Sequence, residues 1–160
     1  MTMTKTVITS DGDSVVSEVE IAAPPERVFE ALITREQAMQ WGTNDAFQMT
    51  SWEMDARPGG KWRFISKERS GKTPPGLPNY DHHGEILEMD PPRLLAYSWF
   101  ANWHENPSHP TVVRWELTPT KAGTRLKVIH SGLARLPGAC QGYSQGWPGL
   151  VEALKNFVEK

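Results

Sequence analysis

A chain of 160 residues fits one domain of ordinary size, able to bury roughly 70% of the surface that its unfolded form exposes. Charged residues make up 22% of it and nearly cancel, to a formal net charge of -2 at pH 7, which argues against nucleic acid or a membrane surface as partner. A single cysteine, Cys140, excludes an internal disulfide, no apolar run approaches the roughly 20 residues that span a bilayer, and Met1 to Asp13 lack a signal-peptide core, so a cytoplasmic protein is expected.

Met1 to Gly12 is polar and Thr-rich, and residues 1–13 read as a flexible arm ahead of one domain over 14–160. From Ser14 to Ile21 the chain alternates, with Val15, Ser17, Val19 and Ile21 on one face, as a half-buried strand does. Pro24 and Pro25 end that strand and open a short helix whose stripe is Val28, Phe29, Leu32 and Ile33; Glu36 to Trp41 forms a second helix that stops at Gly42. Phe47 to Asp55 and Lys61 to Ser66 then read as a hairpin about Arg57-Pro58-Gly59-Gly60, a turn without the strand-to-helix setting of a phosphate loop. Ser70 to Tyr80 is an irregular loop, and His82 to Met89 and Leu94 to Phe100 are strands joined at Asp90 to Arg93.

Ala101 to Pro110 is another loop, carrying Trp103 and His104. Val112 to Leu117 and Thr124 to His130 make the last hairpin, and parity puts Val113, Trp115, Leu117, Leu126, Val128 and His130 on its core face. After a crossover at Ser131 to Gly142, Trp147, Leu150, Val151, Leu154 and Phe157 recur at helical spacing to the C-terminus. Strands in consecutive hairpins with one amphipathic helix laid across them give an α+β architecture, an antiparallel meander under a helical lid.

Four stretches, IAAPPERVFEALIT at Ile21 to Thr34, RPGGKWRF at Arg57 to Phe64, GEILEMDPPRLLAYSW at Gly84 to Trp99 and GWPGLVEALKNFVEK at Gly146 to Lys160, occur in the order found in one superfamily. The chain resembles the SRPBCC helix-grip proteins, which include START lipid-transfer domains, the birch-pollen allergen and polyketide cyclases. Within them it is similar to the branch named after the C-terminal domain of the activator of the heat-shock chaperone ATPase. The resemblance implies a curved seven-stranded antiparallel sheet gripping the C-terminal helix, two short helices after the first strand, and a cavity between sheet and helix. It does not fix function, because that scaffold hosts transport, sensing, cyclase chemistry and co-chaperone work.

Seven Trp against five Phe and three Tyr suggests wide aromatic walls. Trp62, Phe64, Trp99, Trp115 and Trp147, with Trp41 and Trp52 nearby, are expected to line a pocket for a small hydrophobic or aromatic molecule; Tyr97, His83, Leu150 and Leu154 complete it. If the rings serve a ligand, exchange of Trp115 or Trp147 for alanine changes affinity more than folding. His130 stands inward where an aliphatic residue would be ordinary, so it is the one candidate general base, with His83, Glu85 and Ser98 as candidate partners; its alternative is a core histidine satisfied by a backbone carbonyl or by Tyr97.

Asp81, His82 and His83, with His104 or His109, raise a metal reading, but adjacent strand residues point to opposite faces and no ligand-type spacing occurs, so neither metal nor cofactor is expected. Ligand binding without catalysis is the first reading. A chaperone-associated stress-response module using the outer sheet face is the second, and a cyclase-, dehydratase- or hydrolase-like enzyme using His130 the third. A sheet edge or Trp103 is a surface that a second copy could cover in a homodimer.

Overall fold

The computed structural model describes residues 4–43, 47–68 and 79–160. Among these the chain runs β1 (Lys5–Ile8), β2 (Val15–Ile21), α1 (Pro25–Ile33), α2 (Arg35–Trp41), β3 (Phe47–Met54), β4 (Lys61–Glu68), β5 (Tyr80–Asp90), β6 (Leu94–Ala101), β7 (Thr111–Pro119), β8 (Thr124–Ser131) and α3 (Pro137–Val158). The strands form one sheet in the order β1-β2-β8-β7-β6-β5-β4-β3, every neighbour antiparallel. The expected loop at Ser70 to Tyr80 lies outside the described residues except for Asn79 and Tyr80, the latter opening β5.

The order follows from the connections. β3 to β8 return hairpin by hairpin, while α1 and α2 carry the chain from β2 to the far edge, so β2 closes onto β8 with Val15 opposite His130 and Ile21 opposite Thr124. An eighth strand, β1, extends the expected seven by pairing Lys5 with Glu18 through Ile8 with Val15. Register shifts between Met49 and Ser51 and between Ile86 and Glu88 bend the β3–β6 half of the sheet, as bulges do.

Period-two burial is strict where the sheet faces α3. Val15, Ser17, Val19 and Ile21 of β2, Val113, Trp115 and Leu117 of β7 and Leu126, Val128 and His130 of β8 are all buried. Helix α1 starts at Pro25, whose missing N–H is no loss at that position, and buries Val28, Phe29, Ala31 and Leu32. Gly84 of β5 is required by close approach: a Cβ there would stand 1.8 Å from the Ser98 carbonyl oxygen, and its absence lets the Trp62 indole N–H reach that oxygen at 3.0 Å.

Helix α3 begins at Pro137, five residues before the expected Gly142. Leu136 gives its N-terminus no side-chain cap; instead the Glu105 carboxylate accepts from the Gly138 and Ala139 amides at 2.8 and 3.0 Å. A carboxylate from the β6–β7 loop thus satisfies two orphan donors and sits favourably on the positive end of the helix. From there α3 crosses β1 and β2, and Trp147, Val151, Leu154 and Val158 go into the core.

Candidate functional site

Trp99, near the end of β6, is the centre of what sheet and helix enclose. Around its ring stand Trp62 of β4 at 5.0 Å, His82 of β5 at 5.0 Å, His130 of β8 at 5.4 Å, Trp147 of α3 at 5.8 Å and Tyr143 of α3 at 6.2 Å. Trp115 meets Trp147 edge-on at 5.6 Å, and Tyr97 lies 4.9 Å from Trp62. These spacings are those of rings in mutual contact, so the rings fill the space between sheet and helix. Leu154 is wholly buried beside them, and Leu150 and Phe64 are partly buried against the same core.

The remaining sequence-predicted residues fall elsewhere. Trp52 is buried in a smaller cluster with Ala38 and Met49, and Trp41 packs at its edge with its indole N–H donating to the Ala31 carbonyl at 2.8 Å. His83 does not reach the interior. It is exposed on the outer face, stacked on Phe100 at 5.3 Å, because the alternation of β5 turns His82 and Ile86 inward instead.

His130 is completely buried and has both nitrogens engaged. The Trp147 indole N–H, a donor only, points at Nδ1 at 3.2 Å, so Nδ1 accepts and the proton resides on Nε2. Nε2–H then donates to the Thr111 hydroxyl at 2.9 Å, and that hydroxyl donates to the Trp99 carbonyl at 2.8 Å. Burial, and secondarily the neighbouring His104 and His82, hold its pKa well below the usual 6.5, so the ring is neutral. Tyr97 is not its partner, since the Tyr97 hydroxyl accepts from Trp115 Nε1 at 2.7 Å. The candidate catalytic partners do not approach it either: Glu85 pairs with Lys61 at 3.7 Å, and the Ser98 hydroxyl accepts from the Glu85 amide at 3.0 Å. With one donor and one acceptor both used, His130 is a bracket tying β7, β8 and α3 together.

Two further buried imidazoles complete the interior. His82 Nε2 accepts from Trp103 Nε1 at 3.0 Å, and His104 Nε2 lies 2.7 Å from the Tyr143 hydroxyl, which also accepts from Trp99 Nε1 at 2.8 Å. Burial lowers His82 to about 3 and His104 to about 4, so both are neutral at pH 7. In sequence His82 and His104 stand out only as metal candidates, and among the described residues no group of three or more His, Cys, Asp or Glu is placed to hold one. Tyr143 and Thr111 were missed altogether. Parity with Trp115 turns Thr111 inward, and Tyr143, inside the helix expected from Gly142, lies one turn before Trp147 on the same stripe.

Two surface depressions lie away from this interior. One, of about 460 Å³, runs over the outer side of β3–β5 past Glu53, Lys61, Arg63, Asp81 and His83, where Arg63 donates to both Asp81 oxygens at 3.0 and 2.5 Å. The other, of about 250 Å³, has Phe29, Ile33, Pro91 and Pro92 as its walls with Glu26 and Glu30 at the rim. Among the described residues no helix is long and apolar enough to cross a membrane.

Solved structures show the same fold. Protein CV1439 from Chromobacterium violaceum is 23% identical with a TM-score of 0.76, over 92% of this chain and 99% of that one. Protein MLL2253 from Mesorhizobium loti is 26% identical with a TM-score of 0.68, over 91% and 96%. The AHSA1-like protein from Aeromonas hydrophila is 18% identical with a TM-score of 0.69, over 91% and 92%. No curated protein matches the chain. Residues 22–159 match the family described as Activator of Hsp90 ATPase homolog 1-like protein, a span that includes α1, the whole β3–β8 meander and α3, and the chain belongs to that family within the helix-grip SRPBCC fold.

Proposed function

We propose that the protein binds a small apolar or aromatic molecule between the sheet and α3, by burial of apolar surface and without catalysis. The observation that carries this reading is the contrast between the two walls of the interior. The sheet wall is rigid and aromatic, with Trp62, Trp99 and Trp115 anchored by their indole N–H groups to Ser98, Tyr143 and Tyr97. The helix wall is soft: within its 22 residues α3 carries Gly138, Gly142, Gly146 and Gly149 together with an internal Pro148.

Glycine costs a helix about 1 kcal/mol relative to alanine and an internal proline about 3 kcal/mol, so this half of α3 is held by tertiary contacts rather than by its own propensity. Packing does not ask for the last two glycines, since a Cβ at Gly146 or Gly149 would meet nothing within 4 Å. A helix that gives way against a stiff ring wall can admit a flat molecule, which gains about 25 cal/mol for each Å² of apolar surface removed from water. His130, with both nitrogens used internally, has no proton to exchange with such a molecule.

The reading is tested with 2-ethylnaphthalene, followed by quenching of the intrinsic tryptophan fluorescence. Saturable one-to-one quenching is expected; a linear, unsaturable response up to the solubility limit would overturn the proposal. The softness of the helix is tested separately. Gly146→Ala and Gly149→Ala are each expected to raise stability by about 1 kcal/mol in urea denaturation and to slow quenching by the probe. Unchanged stability in both would mean that the helix is not under-stabilised there.

A further inference from the structure

Among the described residues two buried side-chain nitrogens have no hydrogen-bond partner, Nδ1 of His82 and Nδ1 of His104. Both residues are more than nine-tenths buried, at 7% and 4% exposure, where an unmet polar group is costly enough to need a reason. What each nitrogen offers follows from its ring's other bond. The Trp103 indole can only donate, so His82 Nε2 must accept, and the neutral ring carries its proton on Nδ1.

For His104 there are two arrangements. If its Nε2 donates to the Tyr143 hydroxyl, both His104 Nδ1 and the Tyr143 proton are left without partners. If instead the Tyr143 hydroxyl, already accepting from Trp99, donates to Nε2, only the Nδ1–H of His104 is unmet. The second leaves fewer orphans, so both imidazoles present an N–H.

The two rings belong together. His82 lies 6.5 Å and His104 4.8 Å from the Trp103 ring, centroid to centroid, so both rest against one indole. The adjacent carboxylates, which would be natural acceptors, are committed elsewhere, Asp81 to Arg63 and Glu105 to the first amides of α3. We infer that His82 and His104 are the polar recognition point of the interior site, donating N–H bonds to an acceptor oxygen, carbonyl or carboxylate, on an otherwise aromatic ligand.

This rests on the proposed ligand-binding function and adds to it the polar chemistry of the ligand. The way in is built from the same parts. Trp103 and His104 lie in the segment between β6 and β7, and Glu105 fastens that segment to the glycine-rich end of α3, so movement of that helix end also moves the indole that touches both imidazoles. Their burial keeps both rings neutral at pH 7, which makes them donors by tautomer rather than by charge.

Three probes of one size separate the alternatives: 2-ethylnaphthalene, with no acceptor, 2-acetonaphthone, with a carbonyl, and 2-naphthoate, with a carboxylate. At least one of the two oxygen-bearing probes is expected to bind tenfold or more tightly than 2-ethylnaphthalene. That advantage, taken as the ratio of affinities within each variant, should fall below threefold in both His82→Phe and His104→Phe. A carboxylate ligand places a negative charge beside the imidazoles, raises their pKa values and takes up protons on binding at pH 5; a carbonyl ligand does not.

Should a variant fail to fold, the wild-type chain still decides, because the Nδ1–H proton resonances of His82 and His104 must move on addition of the better probe. Equal affinity for all three probes, or unmoved Nδ1–H resonances because ordered water occupies both nitrogens, would overturn this inference while leaving apolar binding intact. Failure of 2-ethylnaphthalene and of both other probes to bind would remove the ligand-binding reading and this inference with it.

Discussion

Replacement of Trp147 by alanine is expected to destabilise the fold by about 3–5 kcal/mol, the range found when a large buried aromatic is truncated. The side chain is 2% exposed and packs on Trp115, Trp99 and His130 with ring separations of 5.6, 5.8 and 5.9 Å. Its loss opens a void lined by rings anchored to different strands, which are poorly able to collapse into it. It also removes the donor to His130 Nδ1, leaving a completely buried acceptor without a partner. Trp147→Phe keeps most of the volume while losing the hydrogen bond, and should cost about 1–3 kcal/mol. Leu87→Ala, at a position 48% exposed, is the control and should stay within about 0.5 kcal/mol. The measurement is the urea midpoint at constant m-value. A loss below about 1 kcal/mol for Trp147→Ala would mean that the ring lines a space already open to solvent, and would return Trp147 to the role of ligand wall expected from sequence.

How much of this was legible depends on how local its cause is. The inward set of β2, β7 and β8 was readable, His130 included, because period-two alternation with one buried face admits a single register. The helix over Trp147 to Phe157 was readable for the same kind of reason, its apolar stripe being continuous. Its first residues, Pro137 to Gln141, were not, because Gly138 lowers the propensity of that stretch and the group that compensates, Glu105, stands about thirty residues earlier in the chain. β1 falls within the expected arm because four mostly exposed residues carry no burial pattern; pairing with β2 and a bond from Thr4 to Glu152 hold it in place. The choice between His82 and His83 turned on one step of register in β5, which Ile86 fixes once it is known to face inward. The partners of His130 were beyond reach for a different reason. Trp147, Tyr97 and backbone carbonyls are equivalent on paper, and only the placement of Trp147 by α3 beside His130 decides among them.

The largest effect of solution conditions is expected on the acid side. His82, His104 and His130 have folded-state pKa values lowered chiefly by burial, to about 3, to about 4 and well below 6.5 respectively. The unfolded chain, with its histidines near 6.5, therefore binds more protons than the folded one once the pH drops below that value, and stability falls as pH falls. It is fully present above about pH 6.5 and is lost progressively toward pH 4 and, for His82, on toward pH 3. Each imidazole that stays neutral in the fold withdraws up to roughly 1.4 kcal/mol per pH unit in that window, a steep loss against the small margin of an ordinary domain. The carboxylates of Asp81 and Glu105 act against this by favouring protonated His82 and His104, but they rank behind burial in both cases. Asp81 itself is lowered by Arg63, so its protonation at still lower pH removes further stability rather than restoring it. Urea midpoints measured from pH 7.5 to pH 4.5 should therefore fall steeply below pH 6, and His82→Phe should remove about a third of the slope. A flat profile would place water on these imidazoles, and the space between sheet and helix would then stand open in the unliganded protein instead of being closed by its own rings.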